Sequence, residues 1–363
     1  MSLNKNKILY ISLHNPEIDP GVENKIQGIC SAATKEGYFI ERITQPCRSV
    51  IARRKVIHKA LHSDAAIFII RSFGIFTIAI LDLLIKARRQ GRMLICDQPT
   101  PLSATIKEVW LSHSSFLKKI YNSLWGYISG PWSMWVYNRI IQYAQDSWYF
   151  FIANKKRTRV IGNGISVSSA KLRNHKNGTD ENIRLIGVAN LSVSHGFDRI
   201  IKAIAILKRR GKTVNFLIIG GKLDSPLIRE LMILSERLGV RKQIEFVGFK
   251  NHDYILEAYN SSDLAVGALG LFRKGLNSSS ILKIREYCLS GIPFITAGDD
   301  PDFPNDVPFR FLVPNDESIE PIVEAIESFP EKRKLFTDEE IRDYAVRHFS
   351  FEKKFKQMID GLI

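Results

Sequence analysis

The sequence predicts an α/β protein of two domains, each a parallel sheet with helices on both faces. Three observations carry this. Short apolar runs alternate with segments of helical period along nearly the whole chain. A polar stretch, Ser166 to Glu181, interrupts the alternation, which then restarts. The length of 363 residues suffices for two ordinary domains, and 45% hydrophobic with 25% charged residues is a globular balance.

In the first half, Lys7–Leu13 reads as a buried strand, followed by a loop containing Pro20-Gly21 and a helix to Lys35. Strand, glycine-containing loop and helix open a nucleotide-binding type of unit, although no GxGxxG is present. Tyr38–Ile43 and Ala65–Ile70 read as strands, Val50–Leu61 and Phe76–Arg88 as helices. The run Ala65–Ile85 is the most apolar, but Arg71, Gly74 and Asp82 divide it, so it reads as core and not as a membrane span. Met93–Cys96 is a strand, and Asp97 just past it is either a crevice-lining carboxylate or the cap of a proline turn. His58 and His62 lie one helical turn apart without a third ligand, so no metal site is expected. Residues 103–150 hold all five tryptophans, with five tyrosines and several lysines. Such a segment suits a membrane interface, an aromatic core, a sugar-stacking platform or single-stranded nucleic acid.

In the second half, Ile183–Ala189, Val214–Ile219 and Ile244–Val247 read as strands. The helices follow at Phe197–Arg209, Pro226–Leu238 and Asp253–Asn260. Asp263–Ala268 is a strand leading through a loop with Gly270, Arg273, Lys274 and Gly275 to a helix that Asn277–Ser280 should cap. Gly291 stops that helix, Pro293 sits just beyond it, and Ile292–Thr296 begins another strand. The helix N-terminus, with Lys283 and Arg285, is a candidate anion site, and Glu286 is a carboxylate able to accept from two sugar hydroxyls. Asp300-Pro301-Asp302 has the DxD form but reads more simply as a proline/aspartate loop. Phe309–Val313 is a last strand, and Ser318–Ser328, Asp338–His348 and Phe351–Ile363 are helical.

Residues 263–296 resemble the nucleotide-sugar site of retaining glycosyltransferases of the GT-B type, which have two facing Rossmann-like domains. Within these, the segment is most similar to the large bacterial family that builds capsules, O-antigens and exopolysaccharides. The family pattern has two Glu separated by seven residues, then a Gly-x-Pro strand entry. Glu286 matches the second Glu, which holds the donor ribose, and Ser278 stands at the first. Where the family has Gly-Arg and then Lys-Gly-x-Asp on the diphosphate, this chain has Asn190 and His195-Gly196-Phe197-Asp198. Gly248-Phe249 matches a loop near the donor base, and Pro20-Gly21 partly matches the family's glycine pair.

The resemblance implies domains at 1–165 and 182–346, a linker at 166–181, and a terminal helix, 347–363, crossing back onto the first domain. It implies Gly21, Asn190, His195, Gly248, Phe249, Gly275, Ser278, Ser279, Lys283 and Glu286 as donor-binding, and Asp97 and His195 as catalytic. The donor would be a UDP- or GDP-sugar, with no cofactor and no metal. The acceptor would be a glycan, in particular a polyprenyl-linked one. A non-catalytic sugar-nucleotide-binding subunit is the second reading, since Ser278, Asn190 and His195 depart from the pattern. The formal charge of +15 favours anionic partners such as nucleotide diphosphates or an anionic membrane surface. Nucleic acid is not expected, because no RRM, KH or helix-turn-helix signature is present. Four cysteines without a CxxC pair and a polar start at Met1–Lys7 imply reduced thiols, no signal peptide and a cytoplasmic protein, peripheral on the inner membrane face.

Overall fold

A computed structural model describes residues 3–17, 19–46, 49–71, 74–111, 115–175, 182–304 and 306–362. The chain forms two compact units, Met1–Gly164 with Phe351–Ile363, and Ile165–Ser350. The first unit contains β1 (Asn4–Ser12), α1 (Pro20–Lys35), β2 (Phe39–Thr44), α2 (Val50–Ala60), β3 (Ala65–Arg71), α3 (Leu81–Arg89), β4 (Met93–Gln98), α4 (Leu102–Leu111), α5 (Phe116–Ser133), β5 (Arg139–Gln142), α6 (Trp148–Ile152) and β6 (Thr158–Val160). Its six strands pair in the order β2-β1-β3-β4-β5-β6, all in parallel.

Side chains along β1 alternate between two cores, as a strand period of two requires. Leu9 and Ile11 pack with residues of α2 and α3, including Val56, Ile57 and Leu84. Ile8 and Tyr10 pack with α1 on the other face. The segment expected to be helical from Phe76 begins as a 3-10 stretch, Gly74–Ile80, before α3.

The second unit contains β7 (Asn182–Val188), α7 (Phe197–Arg209), β8 (Thr213–Ile219), α8 (Pro226–Arg237), β9 (Ile244–Gly248), α9 (His252–Asn260), β10 (Leu264–Val266), α10 (Leu282–Leu289), β11 (Phe294–Ala297), β12 (Arg310–Val313), α11 (Glu320–Glu327), α12 (Phe329–Arg333) and α13 (Asp338–Phe349). Its strands run parallel in the order β12-β11-β10-β7-β8-β9. The terminal helix α14 (Phe351–Ile359) crosses back to the first unit. There Phe351, Phe355 and Met358 join the core beside α1, and Lys35 meets Glu352 at 2.5 Å. Residues 166–175, read as linker from their composition, belong with the second unit. Arg173 is buried there, donating to Asp338 at 2.8 Å and to the Ser262 carbonyl.

Cys30, Cys96 and Cys288 are free and buried, whereas Cys47 lies outside the described residues. Among the described residues no cluster of three or more His, Cys, Asp or Glu could hold a metal, and no helix is long and apolar enough to cross a membrane.

Candidate functional site

In a parallel sheet, ligands bind at the carboxyl ends of the strands where the strand order reverses. In the second unit β7 pairs with β8 on one side and β10 on the other, so the reversal lies between β7 and β10. The loops leaving these two strands border the crevice, and they are knitted together. The Leu269 N–H donates to the His195 carbonyl at 3.0 Å, and the Gly270 N–H to the Ser194 carbonyl at 3.0 Å. Two glycines make this contact possible. A Cβ on Gly270 would lie 2.6 Å from the Val193 oxygen, and one on Gly196, which sits at φ +65°, would lie 2.7 Å from the Leu269 carbonyl carbon.

His195 is half-buried here. The Ser192 N–H lies 3.0 Å from its Nδ1. Nδ1 also lies 3.2 Å from the Ser192 carbonyl oxygen, so it accepts from the N–H in one tautomer and donates to the carbonyl in the other. Burial, assisted by the charge of Lys274 and opposed by the Ser192 backbone, holds the imidazole pKa below its ordinary value. A neutral ring with a donating Nε2–H can bind a phosphate oxygen. Asn190 is exposed at the bend just after β7. Phe249 is exposed beyond the end of β9, and the Gly248 carbonyl accepts from the Gly220 N–H at 2.7 Å.

On α10, the Lys283 ammonium donates to Glu286 Oε2 at 2.7 Å, and both side chains are partly exposed. The next residue ties the helix to the crevice. The buried Tyr287 hydroxyl accepts from the Val188 N–H at 2.9 Å and reaches the Val266 carbonyl at 3.4 Å. It therefore bridges the carboxyl ends of β7 and β10. The sequence reading missed Tyr287, because an aromatic residue at helical spacing reads as core. It missed Arg199 as well, a fully buried guanidinium that donates to the carbonyls of Leu269 and Ser318 and so ties α7 to the loop after β10 and to the segment after β12.

Several expectations are corrected. Helix α10 starts at Leu282 with Ile281 as N-cap and no side-chain cap. Asn277–Ser279 instead run beside Asp299: Ser278 bridges it, and the Ser279 N–H donates to its carbonyl at 2.9 Å. That N–H is therefore already engaged. Gly275, exposed at φ +64°, serves the turn that closes a short 3-10 helix. Arg285 is not part of an anion site. It is 0% exposed and clamped by the two carboxylates of the DxD segment, with its NH2 2.7 Å from Asp300 and 2.8 Å from Asp302. Arg273 is held by Asp198 at 2.7 and 2.9 Å and by Glu317, so its charge is already answered.

Asp97 is corrected too. It lies inside β4, 0% exposed, at the centre of a polar knot. The hydroxyls of Tyr10 and Tyr143 donate to it at 2.6 and 2.7 Å, and Lys25 and Arg71 lie at 3.3 and 3.5 Å. Burial alone would raise its pKa, but the Lys25 and Arg71 charges and the two hydroxyls outweigh it and hold the carboxyl below its ordinary value. Burial in the same knot brings Lys25 down to about 8 against the pull of Asp97. A carboxylate enclosed in this way holds its neighbours in position. Gly21 lies exposed in the first turn of α1 with open space around its Cα. Two residues on, Glu23 accepts from Arg42 at 2.8 and 2.6 Å and pairs with the buried His14 at 3.0 Å. No motif connects these three residues in the sequence, because they come from the loop after β1, from α1 and from β2.

A pocket of about 400 Å³ opens between the start of α7 and helix α8, lined by His195, Asp198, Arg237 and Arg273 together with apolar residues of α8. Lys283, Glu286, Asn190 and Phe249 do not line it.

Two parallel six-stranded sheets with flanking helices and a terminal helix returning to the first unit are the arrangement of the GT-B fold. Residues 168–270, the stretch from the start of the second unit through the His195 and Gly270 loops, match the family described as glycosyl transferases group 1. Solved structures align along nearly the whole chain. Anabaena Alr3699/HepE in complex with UDP and glucose is 18% identical with a TM-score of 0.63, covering 98% of this chain and 99% of its own. Sucrose-phosphate synthase from Thermosynechococcus elongatus is 13% identical with a TM-score of 0.68, covering 98% and 97%. The lipopolysaccharide outer core galactosyltransferase WaaB is 12% identical with a TM-score of 0.64, covering 98% and 100%. No curated protein sequence matches.

Proposed function

We propose that the chain transfers a hexose from a UDP- or GDP-sugar to an acceptor hydroxyl, with retention at the anomeric carbon and without a metal ion. The observation that carries this reading is the Lys283–Glu286 pair on a helix fastened by Tyr287 to the strand-order reversal. On binding, the Glu286 carboxylate accepts from the ribose hydroxyls, while the Lys283 charge offsets the diphosphate and Asn190 and His195 donate to its oxygens. The bond from the anomeric carbon to the phosphate oxygen breaks, and its electron pair leaves with the diphosphate. The acceptor oxygen bonds to the anomeric carbon and gives up its proton to an oxygen of the departing diphosphate. HepE, solved with UDP-glucose, supports a UDP-sugar donor by likeness of fold. The acceptor in this proposal is a lipid-linked glycan of bacterial surface polysaccharide, met at the inner face of the cell membrane.

The test is a thermal-shift panel of UDP, GDP, CMP and NAD, with and without EDTA. A ligand at 100 times its Kd adds about 2.7 kcal/mol to the folded state. Stabilisation by UDP or GDP that survives EDTA and disappears in Glu286→Ala is expected. A nucleotide response unchanged in Glu286→Ala overturns the site. A second reading, a sugar-nucleotide-binding subunit without turnover, is favoured by Ser278, which places a backbone-bridged serine where the family has its first carboxylate. Donor binding without transfer or hydrolysis would select it.

A further inference from the structure

Helix α5 is built inside out. Its small residues face the protein. Ser123 and Ser133 are buried, and a Cβ on Gly130 would come within 3.1 Å of Leu102 and 3.2 Å of Phe150. Its large residues face outward. Leu117, Tyr121, Leu124, Ile128 and Trp132 recur at helical spacing and are 55% to 78% exposed. Ring contacts extend this stripe onto the neighbouring helices. Trp110 of α4 meets Phe116 at 6.2 Å, and Tyr127 of α5 meets Tyr149 at 6.1 Å, which meets the exposed Trp148 of α6 at 6.0 Å. A soluble surface does not ordinarily leave so continuous an apolar face uncovered.

Charge indicates what covers it. From Val109 to Gln145 the sequence contains no Asp or Glu. Asp146, the next acid, is buried and accepts from the Leu102 and Ser103 N–H groups at 2.7 and 3.1 Å. Lys107, Lys118, Lys155, Lys156 and Arg157 are exposed on these helices and just after α6. A second copy of the chain would bring two such basic surfaces together. An anionic surface with an apolar interior answers both features, and tryptophan, tyrosine and lysine are the side chains suited to headgroup depth. Since no helix among the described residues can cross a membrane, the fit is to its surface.

We propose that the exposed face of α5, with Trp110 and Trp148, docks in the plane of an anionic lipid bilayer, its apolar stripe in the acyl boundary and its lysines among the headgroups. This takes only the side of the membrane from the transfer reading, and loss of nucleotide binding would leave it standing.

The test is flotation of the full chain with vesicles of phosphatidylcholine alone or mixed with phosphatidylglycerol. Binding to the mixed vesicles, a blue shift of tryptophan emission and weakening with added salt are expected. Binding should fall about tenfold or more in Ile128→Ser/Trp132→Ser and in Lys155→Gln/Lys156→Gln, with melting unchanged because these side chains are exposed. Absence of binding to either vesicle, or equal binding to both, overturns the proposal. Concentration-dependent self-association abolished by the apolar double variant would also overturn it and assign the face to a second copy.

Discussion

Replacing Arg285 tests how α10 is held. Its guanidinium is fully buried, clamped by Asp300 and Asp302, and lies 5.0 Å from the Phe349 ring and 5.5 Å from the Phe303 ring. Arg285→Ala removes the cation bonded to both buried carboxylates and opens a cavity between two aromatic rings. Removing one partner of a buried ion pair costs about 3–5 kcal/mol. For a folding unit of this size, about 2–4 °C accompanies each kcal/mol, so the second unit's transition should fall by roughly 6–20 °C. Arg285→Lys keeps the charge but not the bidentate geometry, and should recover only part of the loss. Differential scanning calorimetry measures both. If Arg285→Ala melts within about 2 °C of wild type, the carboxylates are not held by this residue and the account of the DxD segment as a structural clamp is wrong. If added Mn²⁺ stabilises the wild type through these aspartates, a metal role replaces the clamp.

Two further outcomes follow from the site and its counterpart in the first unit. Tyr287→Phe removes the acceptor of the buried Val188 N–H and should cost about 1–3 kcal/mol. It should also weaken nucleotide stabilisation, because α10 loses its tie to β7; unchanged nucleotide binding would show that the tie does not position Glu286. The Arg42 guanidinium, against the opposing effect of burial and with help from Gln27 and His14, lowers Glu23 from 4.5 to about 2. A carboxylate depressed in the folded state stabilises it above the unfolded pKa, and that contribution is lost as pH falls from 4.5 towards about 2. With partial solvent screening it amounts to roughly 1–2 kcal/mol. Glu23→Gln should therefore melt lower at neutral pH and converge with wild type in acid, and a constant difference across the range would refute the assignment.

The sequence by itself determined the alternation of strands and helices, the parallel sheets, and the placement of Glu286 on the helix that follows β10 and of His195 in the loop that follows β7. Those features are local: apolar runs such as Val214–Ile219 and a helical period such as that of Phe197–Arg209 are written in neighbouring residues. Tertiary structure decided which charges are available. Asp97, Arg273 and Arg285 look alike in sequence as free site residues. Their partners Tyr10 and Lys25, Asp198 and Glu317, and Asp300 and Asp302 reach them only when separate elements pack. The same packing selected Tyr287 as the tie at the strand-order reversal, and left no room for a side chain at Gly130 against Leu102 and Phe150 while the large residues of the α5 stripe stay exposed. A charge or a hydroxyl acquires its role from what lies within about 3 Å of it, and that neighbourhood is assembled by the fold, not by the order of residues along the chain.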